Sequence, residues 1–156
     1  MSMAGTSGVF AREFDEIDRT VQVGFAGGRV ISLSFPAEPP SDADGDHELL
    51  DRIDVYLDGE RDEFAEVALG LTVPTDQREV LEALRSVPYG EEVSVSRLAR
   101  LAGFDPDDAD DLETVTGALA DNPVPVLLPY HRVSGGPYAT PGGVRGELRR
   151  VEGLSR

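Results

Sequence analysis

Asn122-Pro123-Val124-Pro125-Val126-Leu127-Leu128-Pro129-Tyr130-His131-Arg132-Val133 is the stretch on which the reading of this chain turns. An Asn before Pro commonly fixes a turn, so Asn122-Pro123 stops whatever helix precedes it. Upstream, Asp105-Pro106 is expected to open that helix, which carries Leu112, Val115, Ala118 and Leu119. Before it, Ser94 is expected to cap a shorter helix with Leu98 and Leu101 turned inward, ended by Gly103. Two short helices joined by a Gly-containing turn make a helix-turn-helix candidate. Thr75 is expected to cap an earlier helix whose apolar face is Val80, Leu81 and Leu84, broken at Val87-Pro88-Tyr89-Gly90.

Nearer the N-terminus, Val21, Val23 and Phe25 alternate on one side of Gly27-Gly28, and Val30, Ile31, Leu33 and Phe35 follow on the other. This predicts a strand hairpin over 20–35. An acidic loop over 36–47 leads to a helix near 48–58, and the apolar stretch Phe64 to Val73 is expected to form a last strand. The fold class is therefore α/β, with an N-terminal antiparallel-sheet subdomain over 1–69 and a helix-turn-helix domain, winged-helix-like, over 72–156. His47 sits in a polar loop and is assigned no role.

The segment 87–133 resembles the C-terminal domain of the O6-alkylguanine-DNA alkyltransferases (methylated-DNA–protein-cysteine methyltransferases). The residues that carry the resemblance begin with Val87-Pro88-Tyr89-Gly90-Glu91, Val93-Ser94, Leu98-Ala99 and Leu101-Ala102-Gly103. They continue through Gly117-Ala118-Leu119 and the Asn-Pro-x-Pro run quoted above, with Gly142-Gly143 and Glu152-Gly153 beyond it. The family's acceptor motif is Pro-Cys-His-Arg-Val, and here Tyr130 stands in the place of the cysteine. The resemblance implies a relay in which His131 and Glu152 keep the thiol deprotonated while Asn122 holds the loop. It also implies a lesion pocket at Pro129, Tyr130, His131 and Arg132, with Thr114 and Gly117 on the DNA-reading helix. The family's arginine finger, which fills the gap left by a flipped base, falls at Glu113, and its phosphate-crowding tyrosine at Val95.

The chain has no cysteine, which excludes disulfides, zinc–thiolate sites and a cysteine nucleophile. A phenol does not replace the thiol: its reference pKa is about 10 against about 8.5, and its oxygen attacks saturated carbon poorly. The expected function is a non-catalytic, alkyltransferase-like protein that binds O6-alkylguanine-type damage and signals to repair proteins. The rivals are a protein-interaction module without DNA binding and a methyltransferase with residual or changed activity.

With 156 residues, 40% of them hydrophobic, the chain is long enough for a core. No apolar run approaches a membrane span of roughly eighteen residues, and Met1 to Phe10 lacks the basic and apolar regions of a signal peptide. A cytoplasmic monomer with no cofactor and no metal is expected. The net charge is −16, and all fourteen bases are arginine. This Lys-free, acidic composition resembles that of proteins from extreme halophiles. Residues 101–130 hold seven acids and no base; residues 131–156 hold two acids and five arginines. The run Asp105–Asp111 lacks the spacing of a calcium loop and reads as a solvated helix start. Arg145, Arg149 and Arg150 read either as a phosphate-facing strip or as salt-bridge partners of the acidic surface.

Overall fold

A computed structural model describes residues 7–137 and 139–154. Part of the reading of the first ten residues falls on 1–6, outside the described residues. The N-terminal half is a three-stranded antiparallel sheet in the order β1 (Gly8–Phe14), β2 (Arg19–Ala26) and β3 (Arg29–Ser34), followed by α1 (Glu48–Leu57). The hairpin over 20–35 is present. Gly27 and Gly28 make its tight turn at φ 57° and 81°, a region open to glycine at little cost. β1, unrecognised in the sequence, pairs with β2 along its own full length, from Gly8 opposite Phe25 to Phe14 opposite Arg19.

The expected strand over Phe64–Val73 does not form. Leu69 makes a single bridge to Val30, with hydrogen bonds from Val30 N to Ala68 O and from Gly70 N to Val30 O, each 2.9 Å. The ladder fails because the carbonyls of Phe64 and Val67 are taken by Arg85 Nη2, at 2.6 and 2.7 Å, and Phe64 itself sits at φ 51°. α1 is capped by His47, whose Nδ1 accepts the Leu49 N–H at 3.0 Å while its ring centroid lies 4.6 Å from those of Phe10 and Phe25. The unassigned histidine is thus a helix cap set against aromatic rings.

The second half contains α2 (Thr75–Arg85), β4 (Val93–Ser94), α3 (Val95–Leu101), α4 (Ala109–Ala120), a 3-10 turn (Tyr130–Arg132), β5 (Val133–Ser134) and α5 (Val144–Val151). Three local expectations are corrected. Thr75 is the first residue of α2, not its cap; Pro74 precedes it and no side chain caps the helix. α4 begins at Ala109, later than Asp105-Pro106, because Asp108 turns its carboxylate onto the Asp110 and Asp111 N–H groups and fixes the start there. Leu101 is 48% exposed. It is the last residue of α3, and the chain leaves through Gly103 at φ 86°, so Phe104 turns back toward the core in its place.

α2, α3 and α4 pack on one another through Leu81, Leu84, Leu98, Val115 and Leu119, all essentially inaccessible to solvent. β4 and β5 form a short parallel pair, Val93 beside Val133, which fixes the end of the Tyr130 turn against the start of α3. A continuous apolar core links the sheet and α1 to these helices. No helix among the described residues is long and apolar enough to cross a membrane.

Candidate functional site around Tyr130 and Glu152

Asn122, buried at the end of α4, builds the loop that carries the site. Its Oδ1 accepts the Val124 N–H and its Nδ2 donates to Leu128 O, both at 2.9 Å. These two bonds close the Pro-x-Pro stretch, with Val126 held at φ 80°. Replacing Asn122 by Ala orphans the buried Val124 N–H, while Leu128 O keeps its bond from Tyr130 N–H. The expected loss is about 1–3 kcal/mol of unfolding free energy, measured by urea titration. The chain then enters the turn at Pro129, with Tyr130 N–H donating to Leu128 O at 2.8 Å and Arg132 N–H to Pro129 O at 3.0 Å.

Tyr130 is 1% exposed, and its hydroxyl is hydrogen-bonded to Thr140 Oγ1 on the loop before α5. The phenol therefore ties the turn to that loop. Its ring meets His131 edge-on, with centroids 6.1 Å apart. His131 is wholly buried and points its Nε2 at Glu152 Oε2, 2.7 Å away.

Glu152, the residue that ends α5, is the hub. Arg132 donates from Nε to Oε1 at 2.8 Å and from Nη2 to Oε2 at 3.0 Å. Gly90 N–H donates to Oε1 at 3.0 Å, and Tyr56 O–H, from α1, donates to Oε2 at 2.5 Å. Burial alone would raise the Glu152 pKa, but the hydrogen bonds from His131 and Arg132 outweigh it and hold the carboxyl well below the usual range. A carboxylate only accepts, so His131 Nε2 carries the proton and its Nδ1 is left as the lone-pair nitrogen. Burial lowers the His131 pKa against the pull of Glu152, so the ring stays neutral. Nδ1 is buried with no hydrogen-bond partner among the described residues. It is a base without a proton donor, next to the position where the chain carries a phenol.

The structure brings Asn122, Pro129, Tyr130, His131 and Glu152 together at one loop and the end of α5, and it turns Arg132 inward. Arg132 is 3% exposed, donates to Val87 O at 2.7 Å as well as to Glu152, and lies over the Tyr89 ring. Arg145 and Arg149 also turn inward, to Val133 O and to His131 O and Glu92, and Arg150 pairs with Glu147, so these arginines form no phosphate strip. Thr114 and Gly117 lie on α4 and, with Gln77, Asp110 and Glu113, line a separate open hollow of about 420 Å³. Glu113 is exposed there, while Val95 is half-buried beside Gly136.

Tyr56 and Thr140 were not legible as site residues. A phenol on the otherwise aliphatic buried face Leu49, Leu50, Ile53 and Leu57 was the available signal, since a buried tyrosine hydroxyl seeks a partner. Elsewhere, Glu16, Asp54 and Asp58 bring carboxylate oxygens within 4.8 Å of one another. The Glu16 pKa is lowered by its own backbone hydrogen bond, but burial and the bond to Asp58 outweigh this and raise it overall, as expected for carboxyls sharing a proton.

A sequence profile of the DNA-binding domain of 6-O-methylguanine DNA methyltransferase matches residues 75–154. Among curated relatives, the methylated-DNA–protein-cysteine methyltransferase of Methanopyrus kandleri is 31% identical over 67% of this chain and 77% of its own length. That of Methanothermobacter thermautotrophicus is 36% identical over 67% of this chain, and the match spans 58% of that relative's length. The crystal structure of Mycobacterium tuberculosis O6-methylguanine methyltransferase superposes with a TM-score of 0.67 at 26% identity, over 94% of this chain and 90% of that one. The profile covers half of this chain and the Methanopyrus kandleri relative is matched over more than two thirds of its length, so the chain belongs to the 6-O-methylguanine DNA methyltransferase family.

Proposed function

We propose that this protein binds DNA damage of the O6-alkylguanine type without accepting the alkyl group, and so marks lesions for other repair proteins. The observation that carries this reading is the complete hydrogen-bonded network of Asn122, His131, Arg132 and Glu152 around a phenol. The parts that shape the loop and hold a neutral base are kept, while the one group able to receive an alkyl carbon is absent from the whole chain. Tyr130 offers an aromatic face to a flipped purine once its bond to Thr140 opens.

The test is fluorescence anisotropy with matched duplexes that differ by one O6-methylguanine, on protein shown to be folded by circular dichroism. At about 2 M KCl, non-specific binding driven by counterion release is nearly abolished. A preference for the lesion of about tenfold or more, about 1.4 kcal/mol, is expected, and it disappears in Tyr130→Ala. Equal affinity for the two duplexes rejects lesion recognition.

A second reading, a protein-interaction module that has abandoned DNA, is favoured by one feature. The exposed start of α4 presents Asp107, Asp108, Asp110 and Glu113 where the family would meet phosphates and a flipped base. Under that reading the folded protein binds neither duplex.

A further inference from the structure

In a chain with thirty acids and no lysine, the use made of each arginine is informative. From Arg12, on Gly45 O and Asp51, to Arg150, on Glu147, nearly every described arginine reaches a backbone carbonyl or a carboxylate. Two do not. The side chains of Arg97 and Arg100 have no hydrogen-bond or ion-pair partner among the described residues, and both are exposed. They stand three residues apart on α3, on the side opposite the buried Leu98 and Ala99, and therefore share one face. The exposed Leu101 borders them.

Holding two unpaired guanidinium groups side by side, with thirty carboxylates in the same chain, is not what internal pairing would produce. The pair faces out from the first helix of the α3–α4 motif, and in helix-turn-helix docking the first helix crosses the nucleic-acid backbone while the second enters the groove. Here the second helix begins with carboxylates, which phosphates repel.

We propose that Arg97 and Arg100 grip the phosphate backbone of a DNA duplex, so that the anchoring task falls to α3 and not to α4. This rests on the DNA-binding reading above and names the surface that carries it. The carboxylates of α4 come near the phosphates only with cations between them. The two helices therefore give opposite salt signatures: release of cations at α3 and uptake at α4.

The probe is a fluorescein-labelled duplex, undamaged or carrying one O6-methylguanine, titrated with the full chain across a KCl series in which circular dichroism shows it folded. Each phosphate contact contributes about −0.9 to the slope of log K against log salt. Arg97→Ala/Arg100→Ala is therefore expected to weaken binding of both duplexes equally and to shift the slope upward by about 1.8. Arg61→Ala, an exposed arginine on the far subdomain, leaves slope and affinity unchanged.

A double variant that binds with the wild-type slope and affinity overturns the proposal, whatever the lesion preference. A changed slope with no preference for the damaged duplex upholds it and rejects lesion recognition instead. Failure of the folded wild-type protein to bind either duplex overturns both. Self-association of the wild-type protein in sedimentation equilibrium, lost in the double variant without a change in DNA binding, assigns the face to a second copy and overturns it as well.

Discussion

Tyr130→Cys is expected to accept one methyl group per chain from O6-methylguanine, where the wild-type protein accepts none. The variant supplies the missing thiol acceptor beside His131. His131 already presents an unpartnered Nδ1, its other nitrogen is committed to Glu152, and the ring is neutral. A thiol at position 130 can therefore lose its proton to that nitrogen, directly or through one water. The thiolate sulfur then attacks the methyl carbon, a C–S bond forms as the C–O6 bond breaks, and the electron pair left on O6 re-forms the C6 carbonyl as N1 takes up a proton, giving guanine.

Transfer is followed as labelled methyl carried from DNA to protein, with free O6-benzylguanine as a second substrate that bypasses DNA binding. Tyr130→Ser should remain inert, because a hydroxyl is scarcely ionised near neutral pH. Adding His131→Ala to Tyr130→Cys should slow transfer by about 10²–10⁴, the usual contribution of a general base. Tyr130→Cys also removes a buried ring and the bond to Thr140, at a cost of about 2–4 kcal/mol by comparison with aromatic truncations in cores. Folding of the variant is checked before its activity is read. A folded Tyr130→Cys protein that transfers nothing from either substrate would show that the pocket around position 130 is closed to an alkylguanine.

The parts of this site that were legible in the sequence are those whose signal is local. Asn122 could be read because an Asn before Pro-x-Pro has few other uses, and its two bonds reach only Val124 and Leu128. Family spacing joined His131 to Glu152 across 21 residues. Tyr56 joins the same carboxylate from 96 residues away, and helical periodicity reports only that its ring is buried, not where its hydroxyl ends. Arg132 illustrates the complementary case. Its place in the motif suggested the pocket, but a guanidinium beside a buried carboxylate and a free carbonyl satisfies those first. The error at Phe64–Val73 has the same origin, since an apolar run does not reveal that Arg85 will claim its carbonyls. Arg97 and Arg100 became informative only after every other described arginine had been accounted for.

Glu152→Gln should cost more stability than any other conservative change in the protein. The side chain keeps its shape, but the amide presents two donors to a site built from donors: Arg132, His131, Tyr56 and the Gly90 N–H. It also leaves the Arg132 guanidinium buried without a counter-charge. Breaking such a pair by removing one partner costs about 3–5 kcal/mol, against a total of about 5–15 kcal/mol for a typical domain. The wild-type protein is expected to show the same dependence as pH falls. A histidine whose folded pKa is lowered contributes stability that is full above its unfolded value, about 6.5, and declines below it; His131 and His47 both act in this direction. Glu152, lowered from an unfolded value of about 4.3, adds a second decline that begins near that pH and continues through the acid range. Urea midpoints measured against pH should therefore fall in two steps, and Glu152→Gln should remove the second step while leaving the first. Adding Arg132→Met to Glu152→Gln should recover part of the loss, because an apolar chain replaces the stranded guanidinium. A double variant no more stable than the single one would mean that the network is held by Tyr56 and His131, and that the buried charge pair is not its source of strength.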